Sequence, residues 1–311
     1  MRIVFFGSGE LGCPTVTRLL TAGYDELAAV VTQPDRPQGR NLQLGASPVK
    51  QRVANCGVPV LTPEKVSDPV FLAQLVALQP DLIVVAAYGQ FLPRALLDLP
   101  LQGVINVHPS LLPKYRGAAP IQWALARGEV ETGVSIIYLI EKMDAGDILA
   151  QEKMPIMPDD TAATLAPRLA DLGTRLLLGV LDNIRAGTIR RVPQDDTLAT
   201  RAPLLRKADG RLDWSRPAGE LHNRIRGFFP WPGCFFEWPR GSEKRVKILK
   251  AVPADGAGEP GVILAADTNG LTVASGAGTL QLLEVQSEGK KPMSAAAFIN
   301  GARLRIGDRL G

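Results

Sequence analysis

The run Leu82-Ile83-Val84-Val85-Ala86-Ala87 constrains this chain most, because six apolar residues follow one another with no polar alternation. A strand with one wet face alternates apolar and polar side chains, so an unbroken apolar run must be covered on both sides. Arg2–Phe6 and Leu27–Thr32 share that texture. Between and after such runs lie segments with helical spacing: Glu10–Ala22 with Leu11, Val16, Leu19 and Leu20, then Asp68–Leu78, then the long Thr161–Ile184. Shorter strand-like pieces at Gly103–Val107 and Thr132–Ile140 complete the alternation. Strands that alternate with helices build an α/β domain, so residues 1–189 are expected to form a Rossmann-like, mostly parallel sheet with helices on both faces.

The texture changes after residue 189. Arg190–Pro203 is broken by proline, arginine and aspartate, and residues 190–206 read as a linker. Residues 207–311 open with a helical piece at Arg216–Phe228. Five short strand-like runs follow, at Cys234–Trp238, Arg245–Val252, Gly261–Ala266, Leu271–Ala274 and Thr279–Val285. Many short strands separated by Gly, Asn, Asp and Pro turns suggest a small OB-like β-barrel as the C-terminal domain. The basic excess also sits here: residues 190–311 hold 19 Lys and Arg against 13 Asp and Glu, in a chain of net charge +4. That balance suits a phosphate-rich partner, and equally an ordinary solvated surface.

Three cysteines, Cys13, Cys56 and Cys234, form no close pair, which suits a reducing compartment and argues against a disulfide framework and a zinc site. The two histidines, His108 and His222, are too few for a His-rich metal centre, so no metal is expected. No run approaches the roughly 18 apolar residues of a membrane span, and the apolar N-terminus passes straight into a glycine turn. The expectation is a cytoplasmic enzyme that makes no membrane contact.

Gly7-Ser8-Gly9-Glu10-Leu11-Gly12 follows a strand and opens a helix, which is the context of a dinucleotide fingerprint. Asp35, 23 residues after Gly12, lies close to where a ribose-binding acid would sit. It falls, however, inside Gln33-Pro34-Asp35-Arg36-Pro37, a proline-bracketed loop rather than a strand tip. The preferred reading is that the glycines make a tight strand-to-helix turn.

Residues 104–113 read Val-Ile-Asn-Val-His-Pro-Ser-Leu-Leu-Pro. If Val104–His108 is a strand, Asn106 and His108 project to one face near its carboxyl end, where ligands of open α/β sheets bind. The Asn106 amide can donate to a developing oxyanion, and His108 can carry a proton near neutral pH. Downstream, Met143-Asp144-Ala145-Gly146-Asp147 places two acids around a small-residue turn. Such a turn is either a solvated hairpin tip or a device that brings one acid back to His108.

Taken together, Asn-x-His-Pro-Ser-Leu-Leu-Pro, Tyr115-Arg116-Gly117-Ala118-Ala119-Pro120-Ile121 and Met143–Asp147 resemble the formyltransferases that use 10-formyltetrahydrofolate. The resemblance extends from Gln33–Pro37 to Phe229-Pro230-Trp231-Pro232-Gly233, and the early loop points to the branch that acts on initiator methionyl-tRNA. It implies a catalytic trio of Asn106, His108 and Asp144. It implies folate contacts from Ser110, Leu111, Leu112 and Pro113, with a second wall from Tyr88, Gly89, Gln90 and Leu92. It implies a tRNA contact from Arg40 in the loop Pro34–Pro48, where Arg36 also lies, and a protein that works as a monomer. The basic cluster Arg190, Arg191, Arg201, Arg206 and Lys207, in or beside the linker, is expected to meet tRNA phosphates together with the C-terminal domain, or else to be an ordinary solvated connection. The loop departs from the family pattern, since Asn41-Leu42-Gln43-Leu44 stand where lysines are usual. Other readings are an amino-sugar nucleotide as acceptor, a glycinamide ribonucleotide formyltransferase, a non-catalytic tRNA-binding module and a nicotinamide-dependent oxidoreductase.

Overall fold

The computed structural model describes residues 1–23, 25–38, 43–239, 241–242 and 244–311, with the side chains of Gln38 and Gln43 left aside. The chain divides into two compact units. Residues 1–120, 131–155 and 166–203 form the first, and residues 121–130, 156–165 and 204–311 form the second.

The first unit is built on strands β1 (Arg2–Gly7), β2 (Glu26–Val31), β3 (Arg36–Gln38), β4 (Gln43–Gly45), β5 (Val60–Leu61), β6 (Leu82–Ala86), β7 (Val104–His108), β8 (Glu131–Tyr138) and β9 (Ile148–Pro155). Seven of them form one sheet in the order β5-β2-β1-β6-β7-β8-β9, while β3 and β4 pair as a separate hairpin in the Pro34–Pro48 loop. From β5 to β7 every pairing is parallel; β8 runs antiparallel to both β7 and β9. Strand order reverses between β1 and β6, so their carboxyl ends border the crevice where such sheets take ligands.

Helices α1 (Cys13–Thr21), α2 (Pro48–Val53), α3 (Pro69–Ala77) and α4 (Arg94–Leu97) follow the early strands. All five residues of β6 are buried, as the unbroken apolar run requires. On one face Val4, Phe6, Val31, Ile83 and Val85 join Phe71 and Leu75 of α3 and Leu96 of α4 in a single cluster. Complete burial of a side chain such as Phe6 stabilises by about 1.5–3 kcal/mol. The opposite face is covered by the long α6 (Ala162–Arg185). A Cβ on its Gly173 would lie 2.6 Å from Cγ1 of Val107, so helix and strand approach closer than any larger residue permits. The buried Thr15–Thr174 hydroxyl pair, 3.1 Å apart, ties α1 to α6.

Strand β9 was not evident in the sequence. Its residues Ile-Leu-Ala-Gln-Glu-Lys-Met-Pro are half-exposed or exposed at a sheet edge and nearly free of β-branched side chains, so neither burial nor propensity signals it. The Gly7–Gly12 turn is as tight as its glycines suggested. A Cβ on Gly7 would lie 2.6 Å from the Phe5 ring and 2.8 Å from the Ala86 carbonyl. The amides of Ser8 and Gly9 both donate to the Ala87 carbonyl at 3.1 Å, so they serve the turn itself. Asp35 meets Lys50 at 2.8 Å.

The second unit contains α5 (Pro120–Ala126, from Ile121 on), α7 (Ala218–Gly227) and α8 (Ala295–Ala302), with strands β10 (Cys234–Glu237), β11 (Arg245–Ala254), β12 (Ile263–Asp267), β13 (Gly270–Ala274), β14 (Thr279–Ser287) and β15 (Met293–Ser294). The strands pair antiparallel in the order β10-β11-β14-β13-β12, and β15 adds to β14. Phe236, Ile248, Leu271, Val273, Leu280, Leu282 and Val285 fill its core, and Phe298 of α8 meets Phe236 edge-on at 6.2 Å. Gly227 lets α7 approach α5, since a Cβ there would lie 2.8 Å from the Ala126 amide. Among the described residues no helix is long and apolar enough to cross a membrane.

Candidate active site

On β7 the alternation of side chains puts Val104 in the cluster with α3 and α4, while Val107 meets α6. Asn106 and His108 therefore share the face of Val104, as their spacing of two requires. Asn106 is half-buried, and among the described residues its amide has no hydrogen-bond partner. His108 is 4% exposed and held from both sides. Its Nε2 lies 3.0 Å from the Tyr115 carbonyl, and its Nδ1 lies 3.8 Å from Oδ1 of Asp144. A carbonyl accepts only, so Nε2 carries a hydrogen. Protonation of Nδ1 as well would then turn the approach to Asp144 into an attraction between opposite charges.

Asp144 reaches this position from the β8–β9 connection in the left-handed conformation, with φ +49°. Its Oδ2 accepts the Gly117 amide at 2.8 Å, leaving Oδ1 turned toward the imidazole. Gly117 has φ +126°, and a Cβ there would lie 2.5 Å from the Ala202 carbonyl. Asp144 thus comes to His108 from 36 positions away in sequence, whereas no contact joins Asp147 to the imidazole among the described residues.

The loop after β7 is clamped by β8 and β9. Ser110 is buried, and its hydroxyl donates to the Lys114 carbonyl at 2.7 Å. Ser135 on β8 donates to the Ser110 carbonyl at 2.7 Å and accepts the Leu112 amide at 3.1 Å. Gln151, its cross-strand partner on β9, donates to the Leu112 carbonyl at 2.9 Å and to the Ser135 hydroxyl at 2.8 Å. Leu112 is buried, while Leu111 and Pro113 are half-exposed. On the neighbouring strand end, Tyr88 and Leu92 belong to the α3–α4 cluster, and burial pushes the Tyr88 phenol well above its ordinary pKa. Gly89, with φ +90°, is exposed. Gln90 is half-buried and accepts the Val66 amide at 3.2 Å while donating to the Glu64 carbonyl at 3.2 Å.

Among the residues expected to meet nucleic acid, Arg36 is exposed and pairs with Glu64 at 2.9 Å. Arg40 lies outside the described residues. Arg206 and Lys207 are exposed, and the Arg206 amide donates to Asp209 at 2.6 Å. Arg190 and Arg191 are exposed too, the latter with its guanidinium 4.2 Å above the Tyr138 ring. Among the described residues, no group of three His, Cys, Asp or Glu side chains is placed to hold a metal ion.

Ser135, Gln151, Gln194 and Thr200 escaped the sequence reading. Ser135 left one trace, a lone hydroxyl inside the apolar run Val134-Ser135-Ile136-Ile137. The other three sit in polar surroundings, where nothing local marks them.

A formyl transferase family model matches residues 1–181, and the model of the formyl transferase C-terminal domain matches residues 204–303. A methionyl-tRNA formyltransferase of Geobacter metallireducens is 45% identical over 311 residues, which is 100% of this chain and 99% of that protein. Two solved structures share the fold. WlaRD, a sugar 3N-formyl transferase determined in the presence of dTDP and 5-N-formyl-THF, has a TM-score of 0.69 at 17% identity, covering 94% of this chain and 99% of its own. HypX from Aquifex aeolicus, in complex with tetrahydrofolic acid, has a TM-score of 0.64 at 19% identity; 98% of this chain is covered, and it spans 48% of that longer protein.

Proposed function

The chain belongs to the formyl transferase family, and from that premise we propose that it carries the formyl group of 10-formyltetrahydrofolate to the α-amino group of methionine on initiator tRNA, for translation initiation. One juxtaposition carries the reading: an asparagine amide with no protein partner among the described residues lies two residues from an imidazole–carboxylate pair at the carboxyl end of β7. A carbonyl oxygen fits that amide.

When bound, the folate supplies an electrophilic formyl carbon, and the protein manages the charge and proton of its transfer. As the methionine amine attacks, negative charge gathers on the formyl oxygen, and the Asn106 amide donates to it. One such donor is worth about 10²–10³ in rate. Asp144 accepts the proton released by the amine, directly or through water, and a proton passes to the folate N10 as the bond between that nitrogen and the formyl carbon breaks. His108 spans the Tyr115 carbonyl and Asp144, so its positive charge steadies both the carboxylate and the nearby oxyanion. Ser110, Leu111, Leu112 and Pro113 form one wall against the folate. The strand-end segment forms the other, with Gly89 and Gln90 at its surface and the buried Tyr88 and Leu92 behind them. The second unit and residues 190–206 take the tRNA through its phosphates, with Arg36, Arg206 and Lys207 among the contacts. The free thiols Cys13, Cys56 and Cys234 suit a reducing cytoplasm.

The test offers the protein 10-formyltetrahydrofolate with either methionyl initiator tRNA or an amino-sugar nucleotide. Product N-formylmethionine on the tRNA supports the reading, and formylation of the sugar alone moves the activity to the other acceptor class.

A further inference from the structure

Residues 192–202 lie in the stretch read as a linker, yet they are stitched onto the loop that follows His108 and the connection that carries Asp144. Val192 exchanges backbone hydrogen bonds with Ile148, at 2.8 and 2.9 Å. The Arg116 amide donates to the Thr200 carbonyl at 2.9 Å, and the Ala202 amide donates to the Arg116 carbonyl at 2.7 Å. The Thr200 hydroxyl accepts the Tyr115 amide at 2.9 Å, which fixes the residue whose carbonyl meets His108.

Gln194 stands at the centre of this attachment. Its Nε2 donates to the Asp144 carbonyl at 2.8 Å and to the Gly146 carbonyl at 2.7 Å, so one amide group spans the turn on both sides of Ala145. Its Oε1 accepts from the Arg116 guanidinium at 2.7 and 3.1 Å. Arg116, whose side chain is 10% exposed, is anchored in turn by Asp196 at 2.7 Å, and Asp196 also takes Lys142. Asp144 is therefore gripped twice by this segment. Gln194 holds its backbone, and the 116–202 pairing sets the Gly117 amide that holds its carboxylate.

From this geometry we infer that Gln194 is a positioning residue for the transfer reaction, holding Asp144 in its left-handed conformation with Oδ1 on His108. This rests on the role proposed above for Asp144. Both chemical halves of the side chain are used, so replacement by an acid of the same shape fails. The change Gln194→Glu keeps a partner for Arg116 but turns a carboxylate oxygen toward two carbonyl oxygens. A displacement of about 1 Å at a reacting group can cost about 10²-fold in rate.

The experiment compares wild type, Gln194→Ala and Gln194→Glu in steady-state formylation of methionyl initiator tRNA, with thermal melting of each. Both variants are expected to lose about 10²-fold in kcat while KM for 10-formyltetrahydrofolate stays within about twofold, because the folate walls are untouched. Gln194→Glu, isosteric and still paired with Arg116, keeps the comparison valid if Gln194→Ala folds poorly. A kcat near wild type in either folded variant, with only the melting temperature lowered, overturns the inference and leaves the proposed function standing. Absence of formylation by the wild type overturns both.

Discussion

Nδ1 of His108 stands 3.8 Å from Oδ1 of Asp144, while Nε2 of the same ring faces the Tyr115 carbonyl at 3.0 Å. Nε2 thus faces a protein carbonyl and Nδ1 turns toward the Asp144 carboxylate, which supports the charge role proposed for His108 over a direct hydrogen bond to the reacting oxygen. His108→Gln retains a donor for Tyr115 and removes the charge. Its kcat should fall by about 10²–10⁴-fold, with KM for the formyl donor little changed, in steady-state assays across substrate concentration.

Gly117 has no freedom to carry a side chain. Its φ of +126° is one that L side chains rarely adopt, and a Cβ would meet the Ala202 carbonyl at 2.5 Å. Gly117→Ala should destabilise by about 2 kcal/mol or more and lower turnover as well, since the same amide holds Asp144. Denaturant unfolding and kcat measured together check this; a stable variant with full activity contradicts it.

Asp25 makes stability depend on pH at a place remote from the chemistry. Burial pushes its carboxyl pKa upward, but Arg185 at 2.8 Å and the Met1 amine at 3.0 Å outweigh that, and the net shift is downward. A depressed folded-state pKa contributes stability that is present above the unfolded value of about 4 and is lost as pH falls through the folded value. Asp25→Asn should therefore cost about 1–3 kcal/mol at neutral pH, with the gap from wild type closing below about pH 4. Unfolding free energies measured across that range should show the two curves converging.

The proposed phosphate contacts should make tRNA affinity fall with salt. A log–log plot of binding against salt concentration should be steep, and Arg206→Gln or Lys207→Gln should each reduce its slope by about one. Folate affinity should not change. A flat salt dependence contradicts a phosphate-based interface.

Legibility in the sequence followed burial. The strands β1, β2 and β6 were readable because two-sided burial demands unbroken apolar runs, and helix α6 because its apolar stripe persists over many turns. Asn106 and His108 were readable as a pair because a period of two fixes their common face. That Asp144, rather than Asp147, approaches His108 was carried by the family resemblance alone, since its physical cause is a left-handed backbone and the Gly117 amide. The polar braces were least visible. Gln151 lies on an exposed edge strand and Gln194 in a segment without periodicity, and their importance arises from partners far along the chain.

The most direct test of the account is single-turnover formyl transfer to methionyl initiator tRNA by wild type and Asp144→Asn, alongside equilibrium binding of the folate. Wild type should form N-formylmethionine rapidly, and Asp144→Asn nearly none despite unchanged folate affinity, because the amide cannot take the amine's proton. Near-normal transfer by Asp144→Asn would contradict it.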